Sequence, residues 1–440
     1  MMAIARSTDS AKRPRRPAIV TVLDLGSTKT VCLIARMVPC EEGRYLHGRT
    51  HAAEVIGLGH VRSLGVKSGV IVDLDAAERA IRHAVEAAER MAGVTVDSMI
   101  VNLSGGRPQS GICSAAVALR DRPVSQREID EVQRLAVKRA SRLDRHVMHL
   151  IPVDHTLDGE RGIVDPRGMI GNELTLNMHL VAADAAPVRN LELAINRAHL
   201  SIETLVATPY ASGLSTLVDD ELELGCACVD MGGGTTSLSI FAERRFVHTE
   251  LIPVGGHHVT MDIARGLNCR LDDAERLKVM HGSVIATSVD DRDMIQIASM
   301  DEEDARAGHQ VPRSLLNRII AARVEETLEM LRERIDRSGY SSVVGKRVIL
   351  TGGAAQLGGL ADLARRVLGR NGRIGRPLGV RGLPAAAKGP AFATAVGLMI
   401  YPQVADSDHS TTKFAGGASL KRTGTEGPLG RMTQWIKESF

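Results

Sequence analysis

No stretch of the chain approaches the ~18 consecutive apolar residues that a membrane-spanning helix needs, so the sequence predicts no segment crossing a bilayer. The first seventeen residues carry Arg6, Lys12, Arg13, Arg15 and Arg16 but lack the apolar run of a secretory signal. They read as a disordered, basic cytoplasmic tail. Six cysteines in 440 residues are too few for a disulfide framework. Cys226 and Cys228 alternate along the apparent strand "CACVDM", which points to core positions rather than metal ligands. A net charge of +3, with basic residues clustered at the two ends, gives no footprint for nucleic acid. Also missing are GxxxxGK[ST] and a GxGxxG opening a helix, which excludes the ordinary P-loop and Rossmann folds.

What remains is a chain with 44% hydrophobic and 24% charged residues, long enough for two or more domains. "AIVTVLDLGSTKTVCLIA" (18–35) is two β-branched runs around a small-residue turn, the pattern of a hairpin. "CACVDMGGGTTSLSIF" (226–241) repeats that design about 206 positions later, which predicts a duplicated α/β fold. Between 74 and 92, Ala77, Ala80, Ile81, Ala84, Val85, Ala88 and Met91 share one helical face, and Gly93 supplies the stop. Further helices are predicted over 126–143, 189–198, 272–281, 314–337 and 360–368. The punctuated segment 159–184 reads as turns between short strands. Residues 403–428 are poor in apolar side chains and read as a flexible linker.

The glycines of "VDMGGGTTS" (229–237) permit the backbone to turn successive N–H groups toward an anion. Thr235, Thr236 and Ser237 add hydroxyls, and Asp230 sits where a carboxylate can hold hydrated magnesium. Taken alone this is a glycine-rich hairpin turn. The matching "DLGSTKT" (24–30) changes the weighing, because two such loops can close on one polyphosphate from opposite sides. A third element, "RVILTGGAAQLGGL" (347–360), joins a strand to a helix through Gly352 and Gly353, where close backbone approach suits a flat ring or an α-phosphate.

These residues resemble the actin, Hsp70 and sugar-kinase superfamily. The resemblance rests on acid-bearing loops at Asp24 and Asp230, the "LTGGAAQLGGL" loop, and two candidate connecting helices at 196–215 and 389–401. Within it, "GLGHVRSLGVKSGVIVDLDAAERAIRHAVEAAERMAG" and "DDAERLKVMHGS" are similar to the bacterial cell-division FtsA family. That resemblance implies an actin-like, two-lobe ATPase fold with a relocated small subdomain in the first lobe. The implied division is a first-lobe core at 18–97, completed by 182–222 and 389–402, with the small subdomain at 98–181. A second-lobe core follows at 223–255, completed by 345–388, with its own small subdomain at 256–344.

The resemblance also implies ATP with magnesium as ligand. Asp24, Gly26, Ser27, Thr28 and Lys29 of the first loop, and Asp230, Gly232, Gly233, Gly234, Thr235 and Thr236 of the second, would hold its phosphates. Asp24 and Asp230 would hold magnesium through water, and Gly352 and Gly353 would approach the adenosine. Glu275 and Lys278 would reach the sugar and base; their spacing equally makes an exposed i,i+3 ion pair. Hydrolysis needs a group that orients the attacking water. Relatives place a Glu before the Pro of the first connecting segment, whereas this chain has Thr208 before Pro209. ATP binding with slow or negligible turnover is therefore expected.

At the carboxyl end, Leu429, Met432, Trp435, Ile436 and Phe440 share one helical face flanked by Arg431 and Lys437. An amphipathic helix with Trp and basic edges suits a membrane interface; docking on the protein itself or a partner is the alternative. The family resemblance implies actin-like filaments and a tether for FtsZ, at the cytoplasmic face of the inner membrane and the division septum, with recruitment of other divisome proteins. The FtsZ tail would meet the second small subdomain, where Arg323 is a candidate contact or simply a solvated helix charge. The rival readings are an MreB-like filament, a type IV pilus assembly ATPase, and a sugar or acid kinase. An Hsp70-like chaperone would need a peptide-binding domain that the residues after Tyr401 are too few to form.

Overall fold

Asp24 and Asp230 occupy the same place in two copies of one sheet. In the computed structural model, which describes residues 18–40, 49–285, 287–297 and 309–410, the strand Ala18–Leu25 pairs antiparallel with Lys29–Pro39. Cys226–Met231 pairs antiparallel with Thr236–Ala242. The registers match: Asp24 faces Val31 and Leu25 faces Thr30, while Asp230 faces Ser237 and Met231 faces Thr236. Each pair extends on one side to a third antiparallel strand, His51–Arg62 or Arg245–Ile252. On the other side each meets a parallel strand, Ser98–Leu103 or Arg347–Thr351. Edge strands Ser201–Ala207 and Asn371–Ile374 complete the repeat, and Val380–Arg381 crosses over to close the first sheet.

The central strands are buried on both faces. In Cys226–Met231, Cys226 and Cys228 pack into the core of the first lobe, while Ala227, Val229 and Met231 face that of the second. All six cysteines are free, in keeping with the absence of a disulfide framework.

The helix Leu74–Ala92 covers the first sheet. Asp73 caps it by accepting from the Ala76 N–H at 3.0 Å, and Gly93 ends it in the left-handed region at φ +68°. Met91 does not join the buried face and is 56% exposed. Gly57 of the sheet meets Ala88 and Ala92 so closely that the last turn is held by small residues, and Met91 falls to the flank.

Between the first lobe's strands lies a four-stranded sheet in the order Gln109–Pro123, Ile170–Ala183, His146–Leu157, Glu160–Ile163, backed by the helix Gln126–Ala140. Val132, Ala136 and Ala140 of the helix pack with Leu119, Leu174 and Met178 in a core of their own. The strands here are long, Gln109–Pro123 and Ile170–Ala183 above all, not the short ones expected from the turn residues. Only the Glu160–Ile163 portion is short, at the sheet's edge, whereas Ile170–Ala183 is paired along nearly its whole length with neighbours on both sides. Within 256–344, expected as the second small subdomain, the helix Arg313–Arg337 packs on Gly256–Leu267 and Leu271–His281 and meets the two-stranded sheet of Met294–Ile297 and His309–Pro312.

Two more expectations change. The first connecting segment is helical only over Thr208–Thr216, and its earlier part is the end of the helix Ala185–Arg197 and the strand Ser201–Ala207. The run "SIETLVA" is β-branched and pairs with Ser98–Leu103, which overrides a helical reading. This helix crosses the second connecting helix, Ala393–Ile400, where a Cβ on Gly397 would come 1.7 Å from the Ala211 carbonyl oxygen.

The linker expected from 403 also begins later. Residues 403–410 are docked, because the Asp408 carboxylate is buried against His149, Tyr401 Oη at 2.9 Å and the Leu150 N–H at 2.9 Å. Burial opposes the Asp408 charge, but His149 and these donors outweigh it and hold its pKa at about 2. The Ala207 N–H donates to His149 Nε2 at 2.9 Å, so Nδ1 carries the proton given to Asp408. The basic tail 1–17, the rest of the linker and the helix residues Leu429, Met432, Trp435, Ile436 and Phe440 lie outside the described residues. Among the described residues no helix is long and apolar enough to cross a membrane.

Candidate functional site

A cleft of about 550 Å³ opens between the lobes, in the size range of small-molecule sites. The two hairpin turns face each other across its floor. Each closes by the same hydrogen bond, Gly26 N–H to the Lys29 carbonyl at 3.0 Å and Gly232 N–H to the Thr235 carbonyl at 2.9 Å. The turns interlock so tightly that a Cβ on Gly233 would come 1.8 Å from Thr28 Oγ1, and one on Gly234 would come 2.4 Å from Ser27 Oγ. Only glycine permits that approach. The second loop is anchored from behind, because the Gly256 and His257 N–H groups at a helix start donate to the Gly232 and Gly233 carbonyls at 2.9 and 2.8 Å. With its carbonyls turned away, the loop can offer N–H groups to an anion.

Two carboxylates stand over these turns. Asp24 is 6% exposed and accepts from Asn102 Nδ2 at 2.9 Å and from Lys29 Nζ at 3.3 Å. Asn102 is itself fixed by accepting the Leu25 N–H at 2.7 Å. Lys29 also lies over the Phe392 ring at 4.4 Å. Asp230, likewise 6% exposed, accepts on Oδ2 from Ser212 Oγ and from Thr394 Oγ1, the latter at 3.0 Å. Burial pushes its pKa up, against the pull of these two hydroxyls. A divalent cation beside it would relieve exactly that burden of buried charge. Both carboxylates therefore fit a hydrated cation, with phosphate oxygens as its other ligands.

On the far wall, Gly352 adopts φ +88°, and a Cβ there would come 2.3 Å from Asp230 Oδ1. Gly353, Ala354, Gln356 and Leu357 continue this wall. Glu275 and Lys278 also line the cleft and form the i,i+3 ion pair at 2.7 Å. Lys278 Nζ donates further to the Gly256 carbonyl at 3.1 Å and to Thr260 Oγ1 at 2.8 Å, so it braces the helix that anchors the triple-glycine loop.

The structure brings every sequence-predicted cleft residue to the lining of this cleft except Thr236. That side chain is fully buried in the strand, opposite Met231 in the register, with its hydroxyl turned into the protein. Alternation along the strand directs Ser237 to the cleft instead. Arg323 stands elsewhere, on the helix Arg313–Arg337, bound by Asp262 and Glu326 rather than free. Sequence reasoning missed Asn102, Ser104, Ser212 and Thr394, because their roles depend on strand and helix crossings that no local pattern announces. Thr208, at the position of the missing acid, bonds to Asn102 Nδ2 at 3.0 Å and Ser104 Oγ at 2.8 Å. It carries no carboxylate toward the cleft.

The family described as "Cell division protein FtsA" matches residues 227–397, and "SHS2 domain inserted in FTSA" matches residues 105–182. The cell division protein FtsA of Rhizobium meliloti (strain 1021) is 56% identical over 426 residues, covering 97% of this chain and 96% of that protein. That of Escherichia coli (strain K12) is 29% identical, over 96% of this chain and 98% of its own length. Among solved structures, the PilM-PilN type IV pilus biogenesis complex aligns with TM-score 0.58 at 18% identity, over 89% of this chain and 99% of that one. MreB5 of Spiroplasma citri bound to ADP aligns with TM-score 0.51 at 14% identity, over 89% and 97%. These two likenesses show the actin-like fold alone, and the rival readings as pilus, MreB-like or kinase proteins are not favoured. With near-complete coverage at 56% identity, the chain belongs to the FtsA family of cell-division proteins.

Proposed function

We propose that this cell-division protein holds ATP and magnesium between its two glycine-rich turns and uses the bound nucleotide as an assembly signal with little hydrolysis. The observation that carries this reading is the pair of turns with identical register and closing bond, each with a buried carboxylate, facing one another across the cleft. Asp24 and Asp230 would hold magnesium through water, and magnesium would neutralise phosphate charge there. The N–H groups of the turns, with Ser27, Thr28, Lys29 and Thr235, would hold the phosphates. Gly352 and Gly353 would bring the backbone against the adenosine, beside Glu275 and Lys278. Weak turnover follows from Thr208, whose hydroxyl is engaged by Asn102 and Ser104 and cannot act as a base for water.

The remainder of the proposal rests on membership of the family and on the tail sequence. Actin-like self-assembly would multiply weak lipid contacts by the helix 429–440 into stable attachment at the inner membrane. The FtsZ tail would dock on the subdomain 256–344, where Arg323 would exchange Glu326 for an acidic residue of the tail. The subdomain 98–181 would remain available to other divisome proteins. Co-sedimentation of the full chain with anionic liposomes and FtsZ tests this. ATP-dependent recruitment of FtsZ to lipid is expected, and removal of residues 429–440 should abolish it. FtsZ left in the supernatant with the intact chain and ATP would refute the tether.

A further inference from the structure

The Asp230 carboxylate is not held by its own sheet. Its two hydrogen-bond donors come from the two helices that connect the lobes: Ser212 from Thr208–Thr216 and Thr394 from Ala393–Ile400. Ser212 is fully buried and Thr394 is 6% exposed. The two hydroxyls also touch each other at 2.9 Å. Each hydroxyl has one proton to give, so both can donate to Oδ2, or Thr394 can donate to Ser212 while Ser212 donates to Oδ2. Either arrangement uses Oδ2 and turns Oδ1 toward Gly352 and the cleft.

Asp24 differs. Its partners, Asn102 and Lys29, belong to neighbouring strands of the same sheet and move with it. The two helices that hold Asp230 instead meet at Gly397 against Ala211 and where Ser215 Oγ donates to the Ala393 carbonyl at 2.7 Å, and Thr208–Thr216 is also tied to the second lobe's sheet, its Pro209 carbonyl accepting from Ser239 Oγ at 3.0 Å. The helix Ala393–Ile400 packs on the first lobe's strands Ala18–Leu25 and Ser98–Leu103, so a rotation of one lobe on the other would shift the Thr394 hydroxyl relative to Oδ2 and to Ser212.

We propose that Ser212 and Thr394 are positioning residues that aim Asp230 Oδ1 at a cleft-bound magnesium ion, so that the crossing angle of the connecting helices and cation binding are coupled. The inference rests on the proposed reading of the cleft as a magnesium–nucleotide site. Removing either hydroxyl frees the carboxylate to turn, which weakens the ligand set for the cation without touching the nucleotide's own contacts.

The test compares ATP affinity with magnesium and with excess EDTA, by calorimetry on the full chain, for wild type, Ser212→Ala, Thr394→Val and the conservative Thr394→Ser. The ratio of the two affinities is the readout, which a purely structural defect would not move. Ser212→Ala and Thr394→Val should lower the magnesium enhancement about tenfold or more while leaving the EDTA affinity near wild type, and Thr394→Ser should retain the enhancement. Equal loss with and without magnesium, or an unchanged ratio, would overturn the inference. Thr394→Ser and Ser212→Ala change little volume, so they keep the comparison meaningful if Thr394→Val fails to fold. Absence of ATP binding by wild type would instead sink the reading of the cleft, which separates the two failures.

Discussion

Gly352 combines a backbone that ordinary residues avoid with a would-be Cβ 2.3 Å from Asp230 Oδ1 and 2.6 Å from the Met231 carbonyl oxygen. Gly352→Ala should cost about 1–3 kcal/mol for a backbone at φ +88° and ψ 170°, a region essentially reserved to glycine, and displace Asp230 as well. The expected outcome is a lowered urea midpoint together with at least about tenfold weaker ATP binding in a fluorescence titration; an alanine variant with wild-type affinity would remove Asp230 from the site. Much of the cleft was legible at this scale, because Gly, Ser and Thr around an acid carry their chemistry in a short contiguous stretch. Thr236 shows the boundary of that reading. It belongs to the same run as Thr235, yet strand alternation turns it inward, and whether a strand begins one residue earlier or later decides which hydroxyl reaches the cleft. Ser212 and Thr394 were illegible for a different reason: Ser212 is one of several hydroxyls in its helix and Thr394 the one hydroxyl of an apolar helix, and only the crossing of the two helices beside Asp230 gives them their partner.

At the scale of elements, the inserted sheet bridges both lobes. His149 of its strand His146–Leu157 reaches the Ala207 N–H of the first lobe, while Ser110 accepts the Thr249 N–H of the second at 3.1 Å. Among the described residues the rings of Tyr210, Phe241, Phe246 and Tyr401 gather at this junction, with Tyr210 stacked on Phe246 at 4.7 Å and His179 edge-on to the same Phe246 ring at 4.7 Å. Burial, reinforced by His149 and His248, pushes the His179 pKa down to about 3. An unfolded histidine titrates near ~6.5, so between these values the unfolded chain binds a proton that the folded chain refuses. Stability from this group is therefore complete above about 6.5 and falls as pH drops toward 3, by about 1.4 kcal/mol per pH unit at most. In urea unfolding followed from pH 7 to pH 5, His179→Gln should flatten the acid-side slope by about one proton; an unchanged slope would contradict a buried neutral imidazole. Sequence reading found the helix 360–368 well and the helix expected at 126–143, which ends at Ala140, because each shows one apolar face. It missed the length of Ile170–Ala183, since the Gly and Asn that punctuate the segment sit within a strand held on both sides by neighbours.

At the scale of the molecule, duplication was the most readable property, since a repeated acid–glycine turn about 206 positions apart becomes two sheets with the same strand order and register. Less readable was the exchange between the halves: Val380–Arg381, late in the chain, closes the first lobe's sheet, and Asp408 pins residues 403–410 to the inserted subdomain. Such long-range returns leave no local pattern in composition. The whole assembly converges on one claim, that two symmetric turns clamp a single magnesium nucleotide and keep it. Calorimetric titration of the full chain with ATP and magnesium, paired with a steady-state phosphate-release assay on the same samples, tests it most directly. The account predicts one site per chain, abolished by Gly234→Val, with negligible phosphate release; no binding, binding unaffected by Gly234→Val, or rapid steady-state phosphate release would contradict it.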